Sequence, residues 1–432
     1  MRLRVELLAL ALFACAPAAS APPPAPPPPP IESAPIDIPK TAAVPPSVET
    51  TAEPAPPPEP VKPEPAPPPS SPSTAIDPEL ASKILATGGP ALKSALASPE
   101  ALKFQVLYGV IERGKLERTG FRTDAEYFFP ASSMKVPIAL ATYERMPKTR
   151  GLTKDARITI HPIGAGDPWT TTIAHETWKS LIVSDNFSAN RMLAVVGHRE
   201  LHETLWSLGL KSTRVHSGFA TGAELDPAKL SPRIEIEGAP EIPPRKSTLD
   251  LPPTDAKDLA IGDAAIVDGR RVPGPLSFAE KNAMKLRELQ DTLVRIMRPE
   301  LLPPGSPKDA ATKEGLEYLR QTLGTLPSQS GIAGYDRNVV ADYTLIPFLR
   351  GIERVRPRAK FQIFSKVGQA FGFLVANAYV VEKDTGRAFF LTATIYANPD
   401  GTMNDDKYAW DTIAFPVLAD VGEVFARHAF GS

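Results

Sequence analysis

Ser132 and Lys135 are the pair in this chain whose types and spacing could do nucleophilic chemistry. They stand in Pro130-Ala131-Ser132-Ser133-Met134-Lys135, ahead of an apolar run through Val136, Ile138, Ala139, Leu140 and Tyr143. That run reads as a helix, and Pro137 falls in its first turns, where a missing N–H costs least. On such a helix the two side chains are i and i+3 and share one face. A lysine amine kept partly neutral by burial or a neighbouring cation can take the proton of a serine hydroxyl. The helix N-terminus adds backbone N–H groups and a positive dipole end that favour a developing oxyanion. Alone the motif says little, because a chain of this length holds roughly one or two Ser-x-x-Lys matches by chance.

Two more motifs follow in order. Ser184-Asp185-Asn186 interrupts a stretch of helical period from Thr177 to Ala194, and Lys366-Val367-Gly368 ends a β-rich run. A Ser-Asp-Asn triplet alone is expected in about one chain in twenty of this length, so the ordered set is hard to ascribe to chance. His198-Arg199-Glu200-Leu201-His202 puts two imidazoles at i and i+4, a zinc-like spacing. The metalloprotease pattern needs a glutamate directly after the first histidine, and Arg199 stands there. No third ligand is evident, so this stretch reads as a solvated helix face.

The elements that must carry these residues can be read from their periods. Phe104, Val106, Tyr108 and Val110 alternate with Gln105, Leu107 and Gly109, which predicts a strand; Gly114 offers a turn into a partner running to about Arg122. Tyr127 to Phe129 reads as a third extended step. Short helices are expected over Pro78–Ala86, with Asp77 as a possible N-cap, and over Ala91–Leu96. Further helices are expected over Glu200–Gly209, Phe278–Met297, Leu316–Leu323 and Val339–Ile352, with Ser212–Asp255 irregular. The last third turns β-rich over Lys360–Lys366, Phe371–Glu382 and Arg387–Ala397, with Asp384-Thr385-Gly386 as a hairpin turn. Tyr408 to Ala429 reads as a closing amphipathic helix kinked at Pro416. Strands at both ends with helices between predict an α+β fold: one antiparallel sheet formed from both ends of the domain, with an inserted helical subdomain.

The chain has 432 residues, a formal net charge of −1, 50 prolines and one cysteine. That balance gives no pointer to nucleic acid or to an anionic membrane surface. One cysteine leaves no intrachain disulfide framework. Arg2 and Arg4 precede a short apolar stretch, Leu7 to Ala14, so residues 1–21 read as an export signal rather than a membrane span. Two endings stay open: a lipobox-like Leu12-Phe13-Ala14-Cys15, which would lipidate Cys15, and small-x-small cleavage sites at Ala16–Ala18 or Ala19–Ala21. Residues 22–76 are Pro-rich, and from Pro22 to about Pro72 too poor in apolar side chains to fold, which predicts an extended spacer or tether. The domain is then 77–432. The expected location is exported: periplasmic, or membrane-anchored through a lipid on Cys15.

The ordered motifs resemble those of the penicillin-recognising serine hydrolases, the class A β-lactamases and penicillin-binding proteins, whose signature is Ser-x-x-Lys, Ser-Asp-Asn and Lys-Thr-Gly. Phe129-Pro130-Ala131-Ser132 before Lys135-Val136-Pro137-Ile138-Ala139-Leu140, and Val183-Ser184-Asp185-Asn186-Phe187-Ser188-Ala189-Asn190, are similar to the class A segments. The resemblance covers roughly Phe104 onward and implies a β-lactamase-like fold. It implies Ser132 as the acylated nucleophile, Lys135 as its proton acceptor and Ser184 as a proton relay to the departing nitrogen. It further implies Asn186 on the substrate's side-chain amide and Lys366 on its carboxylate. Gly368 would leave room beside the strand, and the N–H groups of Ser132 and Gln369 would form the oxyanion hole.

Two departures stand out. Val367 replaces the hydroxyl residue of the third motif, and one hydrogen bond of about 0.5–1.5 kcal/mol goes with it. The family's water-activating glutamate falls at Gly222 when Glu224-Leu225-Asp226 is aligned, which leaves Glu224 as the candidate base. Residues 235–326 lengthen the interval between the second and third motifs and read as an insertion with its own helix. The expected function is an exported class A-type serine hydrolase acting on β-lactams, with no metal or organic cofactor. The alternatives are a cell-wall D,D-peptidase for D-alanyl peptides that β-lactams inhibit, and a tethered peptidoglycan-binding protein without turnover.

Overall fold

Side-chain alternation along five strands decides the architecture. In the computed structural model of the chain, which describes residues 76, 78–164, 166–219, 229–336 and 338–431, these are β1 (Gln105–Glu112), β2 (Lys115–Phe121), β3 (Phe361–Ala370), β4 (Phe373–Glu382) and β5 (Ala388–Tyr396). They form one sheet in the order β3-β4-β5-β1-β2, antiparallel at every step. The α+β sheet expected from the two ends of the domain is thus the one observed. The expected export signal with Cys15, the Pro-rich spacer up to residue 75, and Glu224 lie outside the described residues.

Two tight turns set the register. Arg113-Gly114, at φ 49° and 75°, joins β1 to β2, and Phe371-Gly372, at φ 53° and 78°, joins β3 to β4. Both residues of each turn lie at positive φ, the twist that suits a two-residue hairpin.

Along these strands one set of residues faces outward into a cluster that includes Val106, Tyr108, Val367, Leu374, Ala378, Leu391 and Ile395. Helices α1 (Pro78–Leu85), α2 (Pro90–Ala97), α9 (Leu349–Glu353) and α10 (Phe415–Phe430) cover that face. The alternate residues, including Leu107, Val375, Tyr379 and Phe390, face the other core. There they meet α7 (Leu286–Met297), whose Gln290 amide donates to Leu107 O (3.0 Å) and Thr392 Oγ1 (3.2 Å). Asn377 on β4 donates to Leu289 O at 2.9 Å.

Between β2 and β3 the chain builds the helical part: α3 (Lys135–Arg145), α4 (Ile173–Ile182), α5 (Asn186–Val196), α6 (His198–Ser207), α7 and α8 (Lys313–Gly324). Helix α3 is its axis, with Lys135 to Glu144 all buried. A helix enclosed on every side belongs at the centre of a core.

Several boundaries differ from the sequence reading. Tyr127–Phe129 is extended but joins no sheet; Tyr127 N–H goes to Lys257 O (2.9 Å) and its ring packs on Phe278. Phe278–Lys285 is not helical, because Asn282 is spent on the backbone of His216 (2.8 Å) and Ser217 (3.1 Å). Pro347 restricts its neighbour and breaks the expected Val339–Ile352 helix, leaving a 3-10 turn at Asp342–Thr344 and then α9. The closing helix starts at Trp410 as a π-helical turn, Trp410–Ala414, and passes straight into α10, with the change of winding one residue before the N–H-less Pro416. Residues 235–326 divide into short β-ribbons up to Ser277 and the helices α7 and α8.

Candidate active site

The Pro-Ala-Ser turn is built before the helix it feeds. Ala131–Met134 is a single 3-10 turn, and the α-helix proper begins at Lys135, one turn later than the sequence implies. Ser133 fastens the turn by giving both its N–H (3.1 Å) and its hydroxyl (2.6 Å) to Pro130 O. Ala131 is held at φ 46°. Ser132 is left half-buried while Ser133, Met134 and Lys135 are enclosed. In 3-10 geometry residues i and i+3 eclipse, so Ser132 and Lys135 still share a line.

The second motif is the break between two helices. Helix α4 ends at Ile182, and Asp185 caps α5 by accepting from Ser188 N–H at 2.7 Å. Ser184, between them, sits at φ 62°. A serine there costs about 1–3 kcal/mol, which the surrounding packing must offset. The result is that Ser184 and Asn186 both turn on Lys135. The amine donates to Ser184 O, to Ser184 Oγ (3.2 Å) and to Asn186 Oδ1 (2.7 Å).

The third motif arrives on β3, an edge strand. Lys366 Nζ donates to Ser184 Oγ (2.9 Å) and to Val367 O (3.1 Å). Two residues on, Gly368 lies against the Ser132 turn: a Cβ there would stand 2.2 Å from Pro130 O and 2.8 Å from Ser133 N. No side chain fits that approach, which is a physical reason for glycine. The Phe371-Gly372 turn closes on the pair Ala370–Phe373. Counting back from a hydrogen-bonded closing pair, Gln369–Leu374 is non-hydrogen-bonded, so Gln369 N–H points off the free edge of the sheet. Val367 points the opposite way from Lys366 and is 3% exposed in the outer core.

Three segments far apart in sequence therefore meet at one hydroxyl. Ser184 Oγ accepts from both lysines and keeps its own proton for another acceptor. Burial pulls the Lys135 amine down to about 7, against the opposing pull of Asp185. Burial, then the charge of Lys135, holds Lys366 well below the usual lysine range. A buried amine near neutrality is a competent proton acceptor, and Ser132 is the hydroxyl one helical turn before it.

Sequence reasoning passed over two residues beside this cluster. Asn190 donates to Phe219 O (2.9 Å) and accepts from Phe219 N–H (2.8 Å). The Phe219 ring then lies 4.7 Å from Lys135 Nζ. Asn190 was traceable as the residue one turn after Asn186 on the same face of α5; Phe219 carried no signal. Glu224 lies outside the described residues.

The His198–His202 pair is a correction. It is not a solvated face, since both side chains are buried. His202 bonds through Nδ1 to His198 O (2.7 Å) and accepts Val215 N–H at Nε2 (3.0 Å). Burial takes its pKa down to about 3, so it stays neutral. Among the described residues no group of three or more His, Cys, Asp or Glu is placed to hold a metal ion.

A family model described as "Beta-lactamase enzyme family" matches residues 91–305, a span that holds the first two motifs and stops before Lys366. Among solved structures the chain is similar to the chromosome-encoded beta-lactamase of Vibrio parahaemolyticus, at 16% identity over 79% of this chain and 99% of that one, with a TM-score of 0.46. It is also similar to a beta-lactamase from Desulfarculus baarsii DSM 2075, at 16% identity over 83% and 100%, with a TM-score of 0.47. No curated protein sequence matches the chain.

Proposed function

We propose that the chain is a β-lactamase-like, penicillin-recognising serine hydrolase, exported and acylated on Ser132 by β-lactams; the family model matching residues 91–305 supports the first part of that reading. The observation that carries the reading is the shared hydroxyl: Lys135 and Lys366 both donate to Ser184 Oγ. Lys135 takes the Ser132 proton as the oxygen attacks the lactam carbonyl. The oxyanion is received by the N–H groups of Ser132 and Gln369. The proton returns through Ser184 to the departing nitrogen, and water releases the acyl group. Lys366 receives the substrate carboxylate, and Asn186 takes the side-chain amide.

A second reading is supported by one observation: a D,D-peptidase for D-alanyl peptides, which β-lactams acylate and leave slowly. The side of Lys135 facing residue 219 carries an aromatic ring, which cannot activate a water for deacylation. Cys15 would anchor the chain to a membrane by lipidation, with the Pro-rich stretch as tether; palmitate labelling lost in Cys15→Ser tests that.

The test of function is a fluorescent penicillin with a chromogenic cephalosporin. Label that disappears in Ser132→Ala supports the assignment, and label that persists in that variant overturns it. Steady cephalosporin turnover marks a β-lactamase. A burst of one equivalent followed by a stall marks the peptidase.

A further inference from the structure

We propose that Phe219, held by Asn190, is a positioning residue for Lys135: its ring covers the amine and keeps water off it. This rests on the reading of Lys135 as the proton acceptor for Ser132 and extends it to a residue outside the three motifs. The geometry is two-sided. Ser184 and Asn186 take the hydrogen bonds of the amine, and the Phe219 ring stands 4.7 Å from it. The ring itself is only 9% exposed.

The ring is aimed by its backbone. Asn190 grips the N–H and C=O of Phe219 at 2.8 and 2.9 Å, a paired contact that fixes the peptide's orientation. Asn190 is 2% exposed and lies one turn along α5 from Asn186. The same helix therefore supplies an acceptor to the amine and, four residues on, the clamp that brings the ring to it. The approach of residue 219 is fixed from behind as well. Arg214 and Ala283 bridge, and Asn282 holds the backbone of His216 and Ser217.

The charged groups that face Lys135 are Lys366 from β3, which shares Ser184 Oγ, and Asp185 from the N-terminus of α5. Asp185 is divided between its cap on Ser188 N–H and Lys179 at 3.9 Å. Neither neighbour is bonded to residue 219, so a shift in the titration of Lys135 on altering that residue reports the ring, as cover and as π face. A dry amine is neutral at lower pH than a wet one. Removing the ring lets water reach it and raises the pH at which it becomes a base. The π face works the other way by favouring the cation, and an aliphatic replacement separates the two effects.

The experiment measures the rate of acylation by a fluorescent penicillin from pH 5 to pH 10 in the full chain. Phe219→Ala is expected to move the acid limb up by about one pH unit, so that acylation at pH 6 falls about tenfold and recovers at pH 9. Phe219→Leu, which keeps apolar cover, is expected to leave the limb in place or lower it. Asn190→Ala is expected to move it in the same direction as Phe219→Ala. If Phe219→Ala does not fold, Phe219→Gln keeps the bulk, admits water and carries the same expectation. Titration of the Lys135 side chain by NMR, assigned by its absence in Lys135→Met, reads the same shift without acylation. An unmoved limb and an unmoved lysine titration in a folded Phe219→Ala would overturn the proposal. If the unaltered chain takes no penicillin, the Ser132 reading fails, and the lysine titration still decides what Phe219 does.

Discussion

The two faces of the central sheet do opposite work. Toward α1, α2, α9 and α10 the strands present an apolar surface of Val, Leu, Ile, Ala and Phe. Toward α3 and α7 the same strands carry Lys366, Asn377 and Thr392 among their apolar neighbours. The contrast is sharpest on β3, where Val367 enters the outer core while Lys366, one residue away, reaches Ser184. A period of two lets one strand serve stability with one set of side chains and chemistry with the other. Burying amines is a poor way to stabilise a protein, so their enclosure on one face makes that face the candidate for chemistry.

The largest expected effect falls on the inner face. Ser132→Ala should abolish covalent labelling by penicillin altogether while leaving the melting temperature within a degree or two, because a half-buried hydroxyl contributes little to packing. Should labelling survive, the division between the faces loses its chemical half.

Next come the lysines. Lys135→Met and Lys366→Met should each slow acylation by about 10²–10⁴-fold, measured by stopped-flow labelling. Neither should lower stability at pH 7. The folded-state pKa of Lys135, about 7, lies below the ordinary lysine value of about 10.4. Between those limits the unfolded chain binds more protons, so stability rises with pH across the window and is lost as pH falls through 7. That rise should shrink by about 1–3 kcal/mol in Lys135→Met, read by urea melts at pH 7 and pH 10. An unchanged rise in the variant would mean that the amine is not desolvated.

The outer face should answer in the reverse sense. Leu391→Ala, fully buried among the outer residues, should cost about 2–5 kcal/mol of stability. The labelling rate per folded molecule should stay within about twofold of the unaltered chain. A comparable loss of labelling at temperatures where the variant is folded would show that the faces are not independent. The smallest effect is expected at Thr392, whose hydroxyl donates to Asn377 Oδ1 at 2.8 Å. Thr392→Val should cost about 1–2 kcal/mol by unfolding, with no change in labelling.

Much of this was legible in the chain. The strands at both ends, the order of the motifs and the helix break at Ser184-Asp185-Asn186 follow from period and residue type, and the sheet forms where alternation is clean. The misses share a cause: tertiary contacts overrode local preference. Tyr127–Phe129 has strand-forming residues but spends its N–H on Lys257 and its rings on Phe278. Phe278–Lys285 has helical period, yet Asn282 is taken by the 214–217 backbone. His198 and His202 read as exposed because their spacing suits a helix face, and no pattern says which face is buried. Phe219 was invisible for a different reason: an aromatic residue in a loop announces burial but not its neighbour, and only the fold brings it to Lys135.

The central claim is that Ser132, primed by Lys135 on the inner side of the sheet, forms a covalent bond with a β-lactam. Intact-mass measurement of the chain after brief exposure to benzylpenicillin, followed by peptide mapping, tests it most directly. One added equivalent of the drug on the peptide containing Ser132 is the expected result. An unmodified chain, or an adduct on any other residue, would contradict it.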